Sequence, residues 1–293
     1  MALPADTHVH SEWSWDTGGP SSAAAGSMEA TCRQALRIGL PTLIFTEHLD
    51  LTSWVVDERD LPGDLRVHAD PDGEFHPPVL DVAGYLECVE RCRRQFPELH
   101  VLTGVEFGQP HVDTAPAAEP RNTTAREVGA SDLKALDRVN GSLHTLPVGG
   151  RRHEPSVLYR MWPPERVVRE YLDEVCRMIA GSDAFEVLCH IEYAVRYWPS
   201  ERVGPFDPGQ FEDSFRQAMR VLAGSGRALE INLAQQIRPW ILQWWRDEGG
   251  RAITFGSDAH EPQLLAKAFP EAMAMAEHYG FRPGRWPADF WTR

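Results

Sequence analysis

Short apolar runs rich in β-branched residues recur along the chain at 41–48 (PTLIFTEH), 100–106 (HVLTGVE), 138–144 (RVNGSLH), 184–190 (AFEVLCH), 227–233 (RALEINL) and 252–258 (AITFGSD), with a weaker run at 3–9 (LPADTHV). Each is too short for a helix, and the set predicts seven strands. The stretches between them carry helical periodicity. Over 164–180, Val168, Tyr171, Leu172, Val175 and Ile179 fall on one face while Glu165, Arg169, Glu170 and Asp173 take the other. Over 81–96, Glu87 with Arg91 and Glu90 with Arg94 are i,i+4 pairs of the stabilising orientation. Further helices are predicted at 28–39, 210–224, 238–248 and 262–279, with Gly39 and Gly249 as stop signals.

Strand alternating with helix means parallel strands joined by right-handed crossovers, the α/β class. Seven such units without a clear linker predict one barrel-like domain spanning residues 1–293. Two stretches, 52–80 and 108–131, are too long for plain connections and are expected to be lid-like insertions or disordered excursions. No internal repeat or low-complexity tract interrupts the pattern.

Composition narrows the setting without changing the fold. With 42% hydrophobic and 25% charged residues in 293, the chain can bury a sizeable core. The net charge of −14 and the lack of any Lys/Arg run argue against nucleic acid as a standing partner. No apolar run approaches a membrane span, and no basic region precedes an apolar stretch at the start, so a cytosolic protein is expected. Cys32, Cys88, Cys92, Cys176 and Cys189 are odd in number and form no CxxC pair; reduced cysteines are expected. The sequon-like NTT at 122–124 has no meaning in that compartment.

The chemistry lies in where polar residues interrupt the runs. His8 and His10 are two apart in a strand and so share a face. His48, Glu106, His144, His190, and Asp258 with His260 each close another run. In an α/β barrel the C-terminal strand ends build one site, so these distant residues should converge. One such residue alone is an ordinary core or surface group; one at nearly every strand end is not a coincidence. His68, His76, His100, His111, His153 and His278 lie away from the strand ends and read as ordinary polar residues. Imidazoles and carboxylates without cysteine favour Zn²⁺, Mn²⁺ or Fe. Counting Asp16, nine candidates exceed what one ion needs and suit two or three, with Glu106 and Asp258 as bridging carboxylates. Such a cluster points to hydrolysis, since paired ions roughly 3.5–4 Å apart acidify water and hold a phosphoryl oxygen.

The segments HVHSEWSWD (8–16), FTEH (45–48), TGVEF (103–107), GSLH (141–144), CHIEYAVRY (189–197), LEIN (229–232) and FGSDAH (255–260) together resemble the polymerase and histidinol phosphatase (PHP) superfamily, within it the monofunctional histidinol-phosphate phosphatases. They occur in the family's order and span nearly the whole chain. The resemblance implies a distorted (β/α)7 barrel with a trinuclear metal centre at its C-terminal face. It places His8, His10, Glu106 and Asp258 on a first ion, Glu106 with His144 and His190 on a second, and Asp16, His48 and His260 on a third. Position 16 is often histidine in relatives, so Asp16 shifts metal preference toward harder ions. The resemblance also implies that Arg160, in the loop SVLYRMW after the fourth strand, and Arg196, six residues past His190, grip phosphate. The implied reaction is in-line attack by a metal-bridging hydroxide on a phosphomonoester, with Asp258 or His260 protonating the leaving alcohol.

L-Histidinol phosphate is the substrate the resemblance favours; another small phosphomonoester stays open, because 52–80, 108–131 and the tryptophan-rich RPWILQWWRDEGG depart from the family pattern. Trp13, Trp15, Trp54 and Trp162 are candidates for an aromatic mouth, and Glu12 for pairing with an amine. The rivals are an amidohydrolase acting on C–N bonds, a phosphodiesterase or exonuclease, and a non-catalytic module with structural metal. TEH after the second run and SDAH at the last fit the phosphatase better than the amidohydrolase. The sequence leaves the oligomeric state open.

Overall fold

The computed structural model describes residues 3–17, 26–57, 61, 63, 65–113 and 133–293. In chain order its strands are β1 (Asp6–Val9), β2 (Thr42–Asp50), β3 (Trp54–Val55), β4 (Glu74–Phe75), β5 (His100–Gly108), β6 (Arg138–Ser142), β7 (Leu146–Val148), β8 (Arg151–His153), β9 (Val187–Leu188), β10 (Ala228–Asn232), β11 (Ala252–Gly256) and β12 (Trp291–Thr292). The described α-helices are α1 (Met28–Ile38), α2 (Val82–Gln95), α3 (Pro110–Asp113), α4 (Pro155–Met161), α5 (Pro164–Gly181), α6 (Ser200–Val203), α7 (Glu212–Ser225), α8 (Pro239–Asp247) and α9 (Phe269–His278).

The seven predicted strands are β1, β2, β5, β6, β9, β10 and β11, and they pair in that order, all parallel. β1 and β2 are buried along their whole length, as strands covered on both faces must be, which is why they read as near-continuous apolar runs. The sheet curls until β11 meets β1: Asp258 N–H donates to His8 C=O at 2.8 Å and His10 N–H to Ala259 C=O at 3.0 Å. Closure is confined to the C-terminal end of this seam. At the other end β12 pairs antiparallel with β11, Trp291 lying opposite Ile253, and its ring packs edge-on against Phe255. That wedge distorts the seven-stranded barrel. Asp6 ties the seam from inside, its carboxylate accepting from the N–H groups of Ser257 and Ala266.

Local signals set the helix bounds. Ser27 caps α1, accepting from Ala30 N–H at 3.3 Å, and Gly39 ends it at φ 73°, a left-handed conformation that glycine takes without strain. Asp81 caps α2 in the same manner. The predicted helix at 262–279 is broken: a 3-10 turn, Pro262–Leu264, precedes α9, because Ala266 and Ala268 adopt positive φ. Tryptophans of the RPWILQWWRDEGG segment belong to the core, Trp244 and Trp245 of α8 packing inward with Phe215 of α7 close by.

The stretch 52–80 is more than an excursion. Its described residues supply β3 and β4 to a second sheet, ordered β4-β3-β8-β7, completed by the β7–β8 hairpin that follows His144. A small cluster of Trp54, Leu65 and Phe75 fills it. Of the stretch 108–131, Gly108 closes β5 and α3 follows; residues 114–131, with the sequon-like 122–124, lie outside the described residues. All five cysteines are free thiols, and among the described residues no helix is long and apolar enough to cross a membrane.

Trp245 is fully buried and its indole N–H donates to Ala252 C=O at 3.2 Å, joining α8 to β11. Trp245→Ala is expected to cost about 3–5 kcal/mol of stability, read as a lowered urea midpoint with an unchanged slope.

Candidate metal centre and its cavity

The residues named as metal ligands from the sequence gather at the C-terminal ends of the barrel strands and on the loops that follow them, most of them around one carboxylate. Register brings His48 of β2 directly beside Glu106 of β5. Glu106 is 1% exposed and its two oxygens serve different groups. Oε1 stands 2.7 Å from His190 Nε2 and 3.1 Å from His144 Nε2. Oε2 stands 3.3 Å from His8 Nε2, 3.4 Å from His10 Nε2 and 3.0 Å from His48 Nδ1. Asp258 Oδ1 approaches the His8 and His10 Nε2 atoms at 3.7 and 3.5 Å. At the outer edge Asp16 Oδ2 lies 3.3 Å from His48 Nε2 and 2.8 Å from His260 Nε2.

The donor set fits divalent cations. Nε2 atoms of His8 and His10 face each other at 3.1 Å, an approach that needs a proton or a cation between two lone pairs. Three-residue groups within ligating reach of one another include His8–His10–Glu106, His8–His190–Asp258 and His10–His48–His260. Cys189 also lies within ligating reach of His8 and Glu230, but burial pushes its thiol up and keeps it protonated, and the nitrogen and carboxylate donors that remain suit Zn²⁺, Mn²⁺ or Fe²⁺.

The charges are set by this crowding. Burial opposes ionisation of Glu106, but His8, His144 and His48 hold its carboxyl well below the usual range. Burial likewise opposes ionisation of Asp258, and the Arg196 guanidinium with His8 overcomes it. His10 is driven down to about 3, by burial first and then by its imidazole neighbours His260 and His48. His144 and His260 are pushed up to about 9 despite their burial, by Glu106 and Asp16 respectively.

Backbone strain marks two of these positions. His190 and Asp258 adopt φ of 22° and 54°, a region unfavourable for residues with a side chain, directly after strands β9 and β11. The bends turn both side chains toward Glu106 and His8. Gly256 supplies clearance beneath them: a Cβ there would stand 2.6 Å from the His8 Cβ and 2.9 Å from the Glu230 carboxyl.

Arg196 joins the site and Arg160 does not meet it. Arg196 donates to Asp258 Oδ2 at 2.7 Å and Asn232 Oδ1 at 3.1 Å, and its buried Nε has no hydrogen-bond partner among the described residues. It lines the cavity over the cluster, about 250 Å³, together with Trp15, Glu154 and Tyr193. Arg160 lies on helix α4 rather than in a loop, half-exposed, and donates to Asp57 at 2.8 Å. Asp57 lines a second cavity of about 200 Å³, walled by Trp54, Leu65 and Phe75, which shares Trp15, Asp16, Trp54 and Glu154 with the first.

Trp15 and Trp54 therefore stand at the mouth, whereas Trp13 packs on the main core and Trp162 is covered by Arg166. Glu12 accepts from Met28 N–H at the start of α1 and is not in the cavity. Of the histidines read as ordinary, His111 pairs with Glu174 and His76 with Asp70, away from the cluster.

Sequence reasoning passed over three carboxylates. Glu230, inside the quoted LEIN motif, accepts from His8 Nδ1 at 2.7 Å and fixes that ring with Nε2 toward the cluster, a buried carboxylate–histidine pair. Asp50, two residues after His48 and on the same strand face, accepts from Trp15 Nε1–H at 3.0 Å and lies 3.7 Å from His144 Nδ1. Glu47, adjacent to His48, is fully buried. The signal available was the pattern Glu-His-x-Asp, whose alternate residues must face the barrel interior.

A seven-stranded barrel ending in a histidine and carboxylate cluster defines a candidate metal-dependent hydrolase of the α/β barrel class. Residues 6–234 match the PHP domain, and the chain belongs to that family. The chain is 24% identical to a probable histidinol-phosphatase of Clostridium acetobutylicum, covering 95% of this chain and 94% of that one. It is 23% identical to the histidinol-phosphatase of Lactococcus lactis, covering 94% and 91%. The crystal structure of histidinol phosphate phosphatase from Lactococcus lactis, complexed with zinc, L-histidinol and phosphate, superposes with a TM-score of 0.70 at 20% identity, covering 99% of this chain and 97% of that one. The crystal structure of the putative histidinol phosphatase from Listeria monocytogenes gives 0.64 at 14% identity, covering 91% of this chain and 99% of that one.

Gly256→Ala tests the packing beneath the cluster. The variant is expected to displace His8 and weaken divalent-ion binding about 10–100-fold, the range for losing ligand orientation, with the circular dichroism spectrum unchanged. Calorimetric titration of the chelator-treated protein with Mn²⁺ provides the check.

Proposed function

We propose that the chain is a metal-dependent phosphomonoesterase that hydrolyses L-histidinol phosphate to L-histidinol and inorganic phosphate, a step of histidine biosynthesis. The observation that carries this reading is the shared, buried Glu106 with five imidazoles within 3.4 Å of it, beside a cavity holding one half-engaged arginine. We assign His8, His10, Glu106 and Asp258 to a first divalent ion, Glu106, His144 and His190 to a second, and Asp16, His48 and His260 to a third. Bound there, such ions supply Lewis acidity that acidifies water and polarises a phosphoryl group.

The chain's own side chains do the rest. Arg196, held protonated and anchored to Asp258 and Asn232, lines the cavity and is assigned to grip a phosphoryl oxygen. Arg160, paired with Asp57 and outside the lining of this cavity, is the second arginine assigned to the phosphate, and it would have to leave Asp57 to serve there. Asp258 and His260, both lining the cavity, are the groups assigned to proton delivery to the leaving alcohol. Trp15, Trp54 and Phe75 form an aromatic slot in the adjoining cavity, and Glu154 and Asp57 give it negative charge. That combination suits a cationic amino-alcohol carrying an imidazole. A lid-like role for 52–80 is supported by β3 and β4 supplying one wall of the slot. The acidic chain and the small cavity favour a small-molecule ester over nucleic acid.

Phosphate release from L-histidinol phosphate is expected at kcat/KM above about 10⁴ M⁻¹s⁻¹ after reconstitution with Mn²⁺, Zn²⁺ or Fe²⁺, and to vanish with a chelator. A faster ester elsewhere in a phosphomonoester panel would keep the chemistry and reassign the substrate. Arg196→Ala is expected to lower kcat/KM about 10²-fold, matching the loss of a charge-assisted contact of roughly 2–3 kcal/mol. An effect below about twofold would remove Arg196 from the phosphate site.

A further inference from the structure

Glu47 is a fully buried carboxylate that no step of the proposed reaction uses. Three donors converge on it: Ser11 N–H at 3.0 Å, Ser11 Oγ at 2.6 Å and Ser14 Oγ at 2.7 Å. The same Ser14 Oγ stands 2.8 Å from His10 Nδ1 and 3.1 Å from the backbone N of His48. With Glu47 ionised, counting protons sets the direction of every bond in this chain. A hydroxyl has one proton and two lone pairs. Ser14 gives its proton to Glu47, accepts from the His48 N–H, which can only donate, and has one lone pair left for His10. His10 must then carry its proton on Nδ1. Its Nε2 lone pair is left facing His8 Nε2, Glu106 Oε2 and Asp258 Oδ1, at 3.1, 3.4 and 3.5 Å.

We propose that Glu47, acting through Ser14, is a positioning residue that fixes the tautomer and orientation of His10. The inference rests on the reading of His10 as a metal ligand, and it gives His10 what the direct bond to Glu230 gives His8. The path is longer because His10 lies past the end of β1, on the loop that also carries Trp15 and Asp16. Glu47 faces away from His48 on the same strand, so it reaches that loop from beneath the centre without entering the cavity. Its bonds to both Ser11 and Ser14 pin the loop as well as the ring.

The test uses chelator-treated protein labelled with ¹⁵N-histidine, in which long-range ¹H–¹⁵N correlation reads the protonated nitrogen of His10, assigned by its loss in His10→Gln. Wild type is expected to show His10 protonated at Nδ1. Ser14→Ala removes the acceptor, and Glu47→Gln, the same size, can donate to Ser14 and turn its hydroxyl toward His10. Both are expected to shift His10 toward the Nε2–H tautomer and to weaken Mn²⁺ binding about 10–100-fold by calorimetry, while Ser14→Thr, which keeps the hydroxyl, restores both. An unchanged His10 signal in Ser14→Ala and Glu47→Gln overturns the proposal, as does unchanged Mn²⁺ affinity in variants whose wild type binds the ion. If wild type binds no Mn²⁺, Zn²⁺ or Fe²⁺, the metal reading itself fails, and the tautomer measurement still decides the Glu47 relay separately.

Discussion

One buried carboxylate organises this molecule's working end. Glu106 sits in mid-barrel at 1% exposure with His8, His10, His48, His144 and His190 within 3.4 Å of its two oxygens. A carboxylate taken out of water is costly unless cations compensate it, so the five imidazoles and the ions they suit are a condition of its burial. The barrel meets that condition by topology. Parallel strands from distant parts of the sequence end at one rim, and the direct pairing of His48 with Glu106 puts their side chains together. The seam where β11 meets β1 then brings Asp258 to His8 and His10.

Around this centre, each supporting feature trades local comfort for position. His190 and Asp258 leave their strands at positive φ, and Gly256 surrenders a side chain so that His8 fits above it. Such departures are tolerated where the surroundings over-determine the conformation, and here the closed barrel provides that. Outside the inner shell stand Glu230 behind His8 and Asp50 between Trp15 and His144, a second layer of carboxylates facing rings rather than solvent. The layer carries the geometry of the centre outward to Trp15, which walls both cavities.

Much of this was legible in the sequence. The seven runs became the seven parallel strands in the predicted order, because buried parallel strands cannot hide their apolar character. The ligand-type residues at their ends converged because strand ends in such a barrel have nowhere else to go. What the sequence did not reveal is of a different kind. The second sheet pairs strands of two or three residues across distant segments, Val55 with His153, and elements that short leave no periodicity to read. Arg160 carries the right charge, but its direction is set by Asp57, a contact no spacing rule supplies. Glu230 and Glu47 lie in apolar runs, where a lone carboxylate reads as an interruption until its partner is known.

The most direct test of the central claim is anomalous diffraction at the zinc edge from crystals of the Zn²⁺-loaded protein. The account predicts peaks on both sides of the Glu106 carboxylate, one against His8, His10 and Asp258 and another against His144 and His190. Zinc bound to the active protein with no peak in coordination distance of Glu106 would contradict it.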